Sequence, residues 1–148
     1  MKTEKPKPKR KDAGYSLLEI LIVLAIIGML MTLVAPRLFA QLDKSKITTA
    51  RAQAKSIRLS LDAFKLDTGR YPTKEEGLKV LVEAPANDNG VWYGPYLDGD
   101  LPKDPWGNPF VYLPPKHDSQ GRELSPKVIS YGADNAEGGT GNNADISS

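Results

Sequence analysis

The stretch from Leu17 to Ala35 constrains this chain more than any other, because it is apolar along its length and carries a single charge, Glu19. At about 1.5 Å of rise per residue a helix of that length crosses a hydrocarbon core of about 30 Å. The stretch reads as a membrane-spanning helix. An ionised carboxylate inside such a span costs roughly 2.5 to 3.5 kcal/mol on insertion scales and less near its edge, so Glu19 calls for a partner. None lies within the apolar run. The nearest natural candidate is the α-amino group that a cut just before Tyr15 would create, presented by a neighbouring copy in a packed filament. The competing reading is an ordinary signal anchor with Glu19 at the headgroup level.

The flanks favour the first reading. Met1 to Ala13 holds Lys2, Lys5, Lys7, Lys9, Arg10 and Lys11 against Glu4 and Asp12, and Pro6 and Pro8 keep it out of a helix. A secretory signal also starts basic, but its apolar region is about 7 to 15 residues and ends at a small-x-small site. Here the run is longer, and Leu38-Phe39-Ala40 is a poor cleavage site. The Lys and Arg ahead of the span outnumber Arg37, Lys44 and Lys46 just behind it, which keeps the N-terminus cytoplasmic and the remainder on the far side.

Basic leader, Gly14, aromatic Tyr15, then Ser16-Leu17-Leu18-Glu19 and an unbroken apolar helix together resemble the class III signal of type IV pilins and pseudopilins. The resemblance implies that prepilin peptidase removes residues 1–14 after Gly14, that Tyr15 becomes an N-methylated terminus, and that Glu19 is the assembly glutamate of that family.

The rest of the chain fits one small anchored domain. With 148 residues, about a hundred lie beyond the span, enough for one modest core. The net charge of +2 is uneven: six positive and two negative residues in 1–14 give that segment +4 and leave the remainder at −2. The basic balance therefore belongs to the leader and offers no case for nucleic acid. There is no cysteine, which excludes disulfides and thiolate metal sites.

Beyond the span, Pro36 removes a backbone donor, so a kink or loosened turn is expected there. Ile47, Ala50, Ala54, Ile57, Leu61 and Phe64 recur in steps of three and four and place one apolar stripe on a continuing helix. Gly69 and Pro72 end it. Thr73 and Glu76 have capping-box spacing ahead of a short helix with Leu78, Leu81 and Val82. From Glu83 to Asn108 turn residues dominate, and Trp92, Tyr93, Tyr96, Leu97 and Trp106 are expected to tuck this loop onto the helix. Phe110–Leu113 and Lys127–Tyr131 read as an antiparallel pair joined by a long connector, in which the single histidine, His117, reads as a surface residue. No Ser/His/Asp set and no phosphate-cradling loop points to an enzyme.

Gly132 to Asp145 is rich in glycine and oxygen-bearing side chains and free of Lys and Arg. Calcium suits 6 to 8 flexible oxygen ligands. The spacing from Asp134 to Asp145 matches an EF-hand loop in length alone, since Ala136 stands where a ligand belongs and no amphipathic helix follows. Composition leaves two readings open, a calcium loop and a solvated acidic terminus.

Gly69-Arg70-Tyr71-Pro72-Thr73, Gly77-Leu78, Leu101 through Pro109 (LPKDPWGNP) and Tyr131-Gly132-Ala133-Asp134 resemble the major, G-type pseudopilins of type II secretion systems across nearly the whole chain after the leader. That resemblance implies an α+β, type IV pilin-like fold: a long N-terminal helix, with 15–39 as its membrane and assembly half, packed on a small antiparallel sheet in a periplasmic unit, 40–148. It implies a C-terminal calcium loop in which Asp134 and Asp145 give side-chain oxygens and Tyr131 a main-chain carbonyl, with Thr140 and Asn143 as further ligands. It also implies a structural role, as a homopolymer in the inner membrane and periplasm that works with prepilin peptidase, minor pseudopilins and an inner-membrane assembly platform to export folded proteins. A type IV pilus subunit and a membrane-anchored periplasmic protein without a polymerising role are the alternatives; the missing cysteines stand against the pilus subunit, whose family commonly closes its C-terminal region with a disulfide.

Overall fold

The computed structural model describes residues 15–148, so Gly14 and the leader lie outside the described residues. One helix, α1 (Leu17–Thr68), takes up 52 of them. Its start is set by the Ser16 carbonyl, which accepts from the Glu19 and Ile20 amides at 3.0 and 3.2 Å. Glu19 lies in the first turn and Lys65 in the last, the placement that complements the helix dipole at each end. Pro36 sits inside α1 and does not end it. The sequence predicts the stop correctly: Gly69 takes φ +76° and its amide closes on the Lys65 carbonyl at 2.8 Å, a left-handed cap that a Cβ would disfavour.

By internal contacts the chain divides at Ala40 and Gln41. Before that division the described residues are α1's apolar half, whose side chains are exposed on every side. After it comes a unit with its own core. Ala54, Ile57, Leu61 and Phe64 of α1 are almost fully buried against Leu78, Val80, Leu81, Phe110, Tyr112 and Val128. Ala50 is also buried, whereas Ile47, at the head of the predicted stripe, is half-buried. The two alanines leave room for close approach, and the larger side chains fill the space toward the helix end.

Thr73 and Glu76 form the capping box in both directions: the Thr73 amide donates to Glu76 Oε2 at 2.7 Å, and the Glu76 amide donates to Thr73 Oγ1 at 3.2 Å. The helix that follows is a 3-10 helix, Gly77–Leu81, which buries Leu78, Val80 and Leu81. The loop beyond it is anchored as expected by Trp92, Tyr96 and Leu97, which pack on the core. Trp92 Nε1 donates to the Val80 carbonyl at 2.8 Å, and the Tyr96 ring meets Phe64 and Trp92 edge-on. Tyr93 departs from expectation and is 76% exposed.

The sheet has three strands in the order β1 (Val111–Leu113), β2 (Lys127–Ser130), β3 (Ile146–Ser147), all antiparallel. Tyr112 pairs with Val128 and Ser130 with Ile146, so every buried strand residue falls on one face by the two-residue period. The strand β3 is missing from the sequence reading. Two residues carry too little pattern to register as a strand, and only their pairing with β2 defines them. The 114–126 connector also has structure of its own, a bridge between His117 and Glu123, with His117 exposed.

Candidate functional site

The expected assembly residues fall at the start of α1. Tyr15 is 78% exposed and precedes the helix; Glu19 is exposed in its first turn. From Leu17 onward the surroundings are uniform: Leu17, Leu18, Ile20, Leu21, Ile22, Val23, Leu24, Ile26 and Ile27 all present apolar surface. An 18-residue window in α1 reaches a mean hydropathy of 2.8 with none of it buried. A helix apolar on all sides and covered on none belongs in lipid or among other helices. Gly14 lies outside the described residues.

The expected metal residues sit in the loop between β2 and β3. Tyr131 is half-buried, while Asp134, Thr140, Asn143 and Asp145 are exposed. The loop closes on itself through its backbone: the Ala133 amide donates to the Asn142 carbonyl at 2.8 Å and the Asn143 amide to the Thr140 carbonyl at 3.1 Å. Two glycines permit that closure. A Cβ on Gly132 would strike the Asn142 carbonyl and one on Gly139 would strike the Asn143 carbonyl, and both residues have positive φ. Asp145 Oδ1 accepts from the Gly138 amide at 2.9 Å, and Asp134 Oδ1 accepts from the Ala136 amide at 3.3 Å. Each carboxylate thus ties its own part of the loop.

Among the described residues no three Asp, Glu, His or Cys side chains gather in one place. The loop nevertheless contains one unmet acceptor. Asn142 Oδ1 is buried without a hydrogen-bond partner. A buried acceptor left in this state costs on the order of 1 to 3 kcal/mol unless a donor or cation meets it. The loop's oxygen-bearing side chains, Asp134, Asp145, Asn142, Asn143 and Thr140, are chemically of the kind that suits a hard cation. Asn142 is not among the residues expected from the sequence, because neither spacing nor resemblance distinguishes it from Asn143 beside it.

Asp104 is the functional-looking residue that sequence reasoning misses. It is 4% exposed, and Oδ1 accepts from the amides of Trp106 and Asn108 at 3.0 and 2.8 Å. Ser130 Oγ donates to Oδ2 at 2.6 Å and accepts from the Gly132 amide at 3.2 Å. Asn108 Nδ2 then donates to the Gly132 carbonyl at 2.8 Å. One buried carboxylate therefore ties the 104–108 turn to the end of β2 and to the first residue of the C-terminal loop. A buried carboxylate offset by three donors marks a clamp.

Three further groups hold the turn after α1. Arg70 donates to both carboxylate oxygens of Glu76 at 2.7 Å, and this pairing holds the Glu76 carboxyl down at about 2. Burial pushes the Tyr71 hydroxyl up to about 12, helped by its 2.8 Å bond to Asp62. Burial does the same to Tyr112, also to about 12, whose hydroxyl donates to the Pro72 carbonyl at 2.8 Å.

The arrangement thus contains an uncovered apolar helix with an acidic first turn, and a clamped unit ending in an oxygen-rich loop. Comparison with known proteins points the same way. Residues 37–148 match the model of type II secretion system protein G, and residues 9–35 match the prokaryotic N-terminal methylation motif. The type II secretion system core protein G of Pseudomonas aeruginosa is 39% identical over 93% of this chain and 95% of its own length. That of Vibrio cholerae is 39% identical over 95% of this chain and 93% of its own. Among solved structures, the major pseudopilin from the type 2 secretion system of enterohaemorrhagic Escherichia coli superimposes with a TM-score of 0.56 at 28% identity, over 76% of this chain and 93% of that one. On its helix, its clamped sheet and its match along both segments, the chain belongs to the type II secretion system protein G family.

Proposed function

We propose that this chain is the major structural subunit of a type II secretion pseudopilus, and that its polymerisation drives folded proteins across the outer membrane. The observation that carries this is the first half of α1, apolar on all sides and covered on none, with one carboxylate in its first turn. In the membrane the segment is a single-pass inner-membrane anchor with its N-terminus cytoplasmic and the 40–148 unit periplasmic. Prepilin peptidase cuts after Gly14, and Tyr15 becomes the methylated terminus. Its amine then meets Glu19 of a neighbour, which removes the cost of the lone carboxylate and fixes the register between subunits. Apolar packing between helices supplies the cohesion, and minor pseudopilins and an inner-membrane platform supply the start and the direction of growth.

The test is genetic and direct. Removing the gene abolishes exoprotein secretion, and the wild-type chain restores it together with periplasmic filaments. Loss of extended surface fibres on gene removal, with exoprotein secretion intact, would indicate a pilus subunit instead.

Calcium binding by the 132–145 loop is the second part of the proposal. Asp134, Asp145, Thr140, Asn143 and the Tyr131 carbonyl would hold the ion, and the unmet Asn142 Oδ1 is a further donor. When bound, the ion supplies a cross-link between loop oxygens that this cysteine-free chain cannot make with a disulfide. The chain's own residues do the rest: Gly132 and Gly139 let carbonyls approach closely, and the Asp104 clamp fixes the loop's first residue. Chelation is expected to make the loop susceptible to protease; unchanged cleavage with and without calcium would remove this part.

A further inference from the structure

A groove of about 410 Å³ runs between α1 and the sheet, lined by Arg51, Lys55, Arg58, Lys127 and the serines and proline around them, with no carboxylate side chain among its lining residues. Arg58 is held at 3.7 Å by Asp62 one turn along, but Arg51, Lys55 and Lys127 form no ion pair among the described residues. They are exposed. Elsewhere on the same unit the opposite charge collects. Between Lys79 and Lys103 the chain carries Glu83, Asp88, Asp98 and Asp100 and no Lys or Arg. Asp88 is occupied with the Val91 and Trp92 amides, whereas Asp98 and Asp100 stand exposed on either side of Gly99 with no ion pair among the described residues.

Both charged surfaces are built into one unit, and among the described residues neither pairs with the other. We infer that the basic groove of one copy receives the acidic Asp98–Asp100 turn of a second copy. Such a contact joins two different patches, so it is heterologous and propagates into an open helical assembly when it does not close a ring. Complementary charge at this position would select the partner and its register, and would not supply the bulk of the cohesion. The inference rests on the polymerising role proposed above and assigns that role a second contact, separate from the apolar helices.

The test uses the full-length chain in its host, which the absence of cysteine makes suitable for single-cysteine labelling. Copies carrying Lys55→Cys are co-expressed with copies carrying Asp98→Cys, and sheared filaments are oxidised. A disulfide-linked pair between the two kinds of copy is expected, and none between Lys74→Cys and Asp98→Cys. In parallel, Lys55→Glu is expected to lower filament yield about fivefold or more, and adding Asp100→Lys to restore most of it. Normal filaments that give no 55–98 cross-link would overturn the contact while leaving the polymerising role intact. Loss with Lys55→Glu that Asp100→Lys does not repair would likewise overturn the pairing. A wild-type chain that forms no filaments at all would remove the polymerising role, and this contact with it.

Discussion

Asp104 shows how much one residue can decide without taking part in any reaction. Its carboxylate meets three donors from two parts of the chain while nearly excluded from water. Truncation would leave those donors unmet in a buried place, at about 1 to 3 kcal/mol each before relaxation. Asp104→Ala is therefore expected to lower the thermal midpoint markedly, with Ser130→Ala lowering it less; a midpoint unchanged within error in Asp104→Ala would refute the clamp. Glu76 gives a pH signature. Its carboxyl ionises at about 2 in the folded chain against an ordinary 4.5, so the unfolded state binds the proton more readily. The stability that the Arg70–Glu76 pair contributes is fully present above about pH 4.5 and is lost as pH falls toward about 2. Glu76→Gln should flatten that acid limb in a midpoint-versus-pH series, and an unaltered limb would count against the pair. The capping box was legible in the spacing of Thr73 and Glu76, but the pairing with Arg70 was not, because it depends on how the chain turns after Gly69.

At the scale of elements, α1 was the most legible part. Its apolar half is recognised by composition and its second half by a period that names Ala50, Ala54, Ile57, Leu61 and Phe64, all of them buried. Phe64→Ala is expected to cost about 3 to 5 kcal/mol, since its ring is fully buried and also meets Tyr96; urea unfolding of the variant measures it, and a loss below about 1 kcal/mol would contradict this core. The strands β1 and β2 were legible to within one residue at their ends, whereas β3 was not. Non-local pairing defines a two-residue strand, and no local pattern can announce it. The C-terminal loop lies between these cases. Its oxygen-rich composition suggested a cation, while the close approach at Gly132 and Gly139 and the unmet Asn142 oxygen emerge only once the loop is folded.

For the whole molecule, the chain joins a segment that cannot remain uncovered to a unit that is already folded. The folded unit buries its own core and meets its buried Asp104 carboxylate with three donors. The apolar half of α1 can do neither for Glu19, which is why the proposed partner is the terminus of another copy. Glu19→Ala should leave membrane insertion intact and block filament growth; filaments of normal length and number from that variant would contradict the pairing. That pairing requires a free amine at Tyr15, and the requirement can be read directly. Intact mass spectrometry of the protein from sheared filaments should show a chain beginning at Tyr15 and carrying one added methyl group. Filaments built from chains that still begin at Met1 would contradict the account.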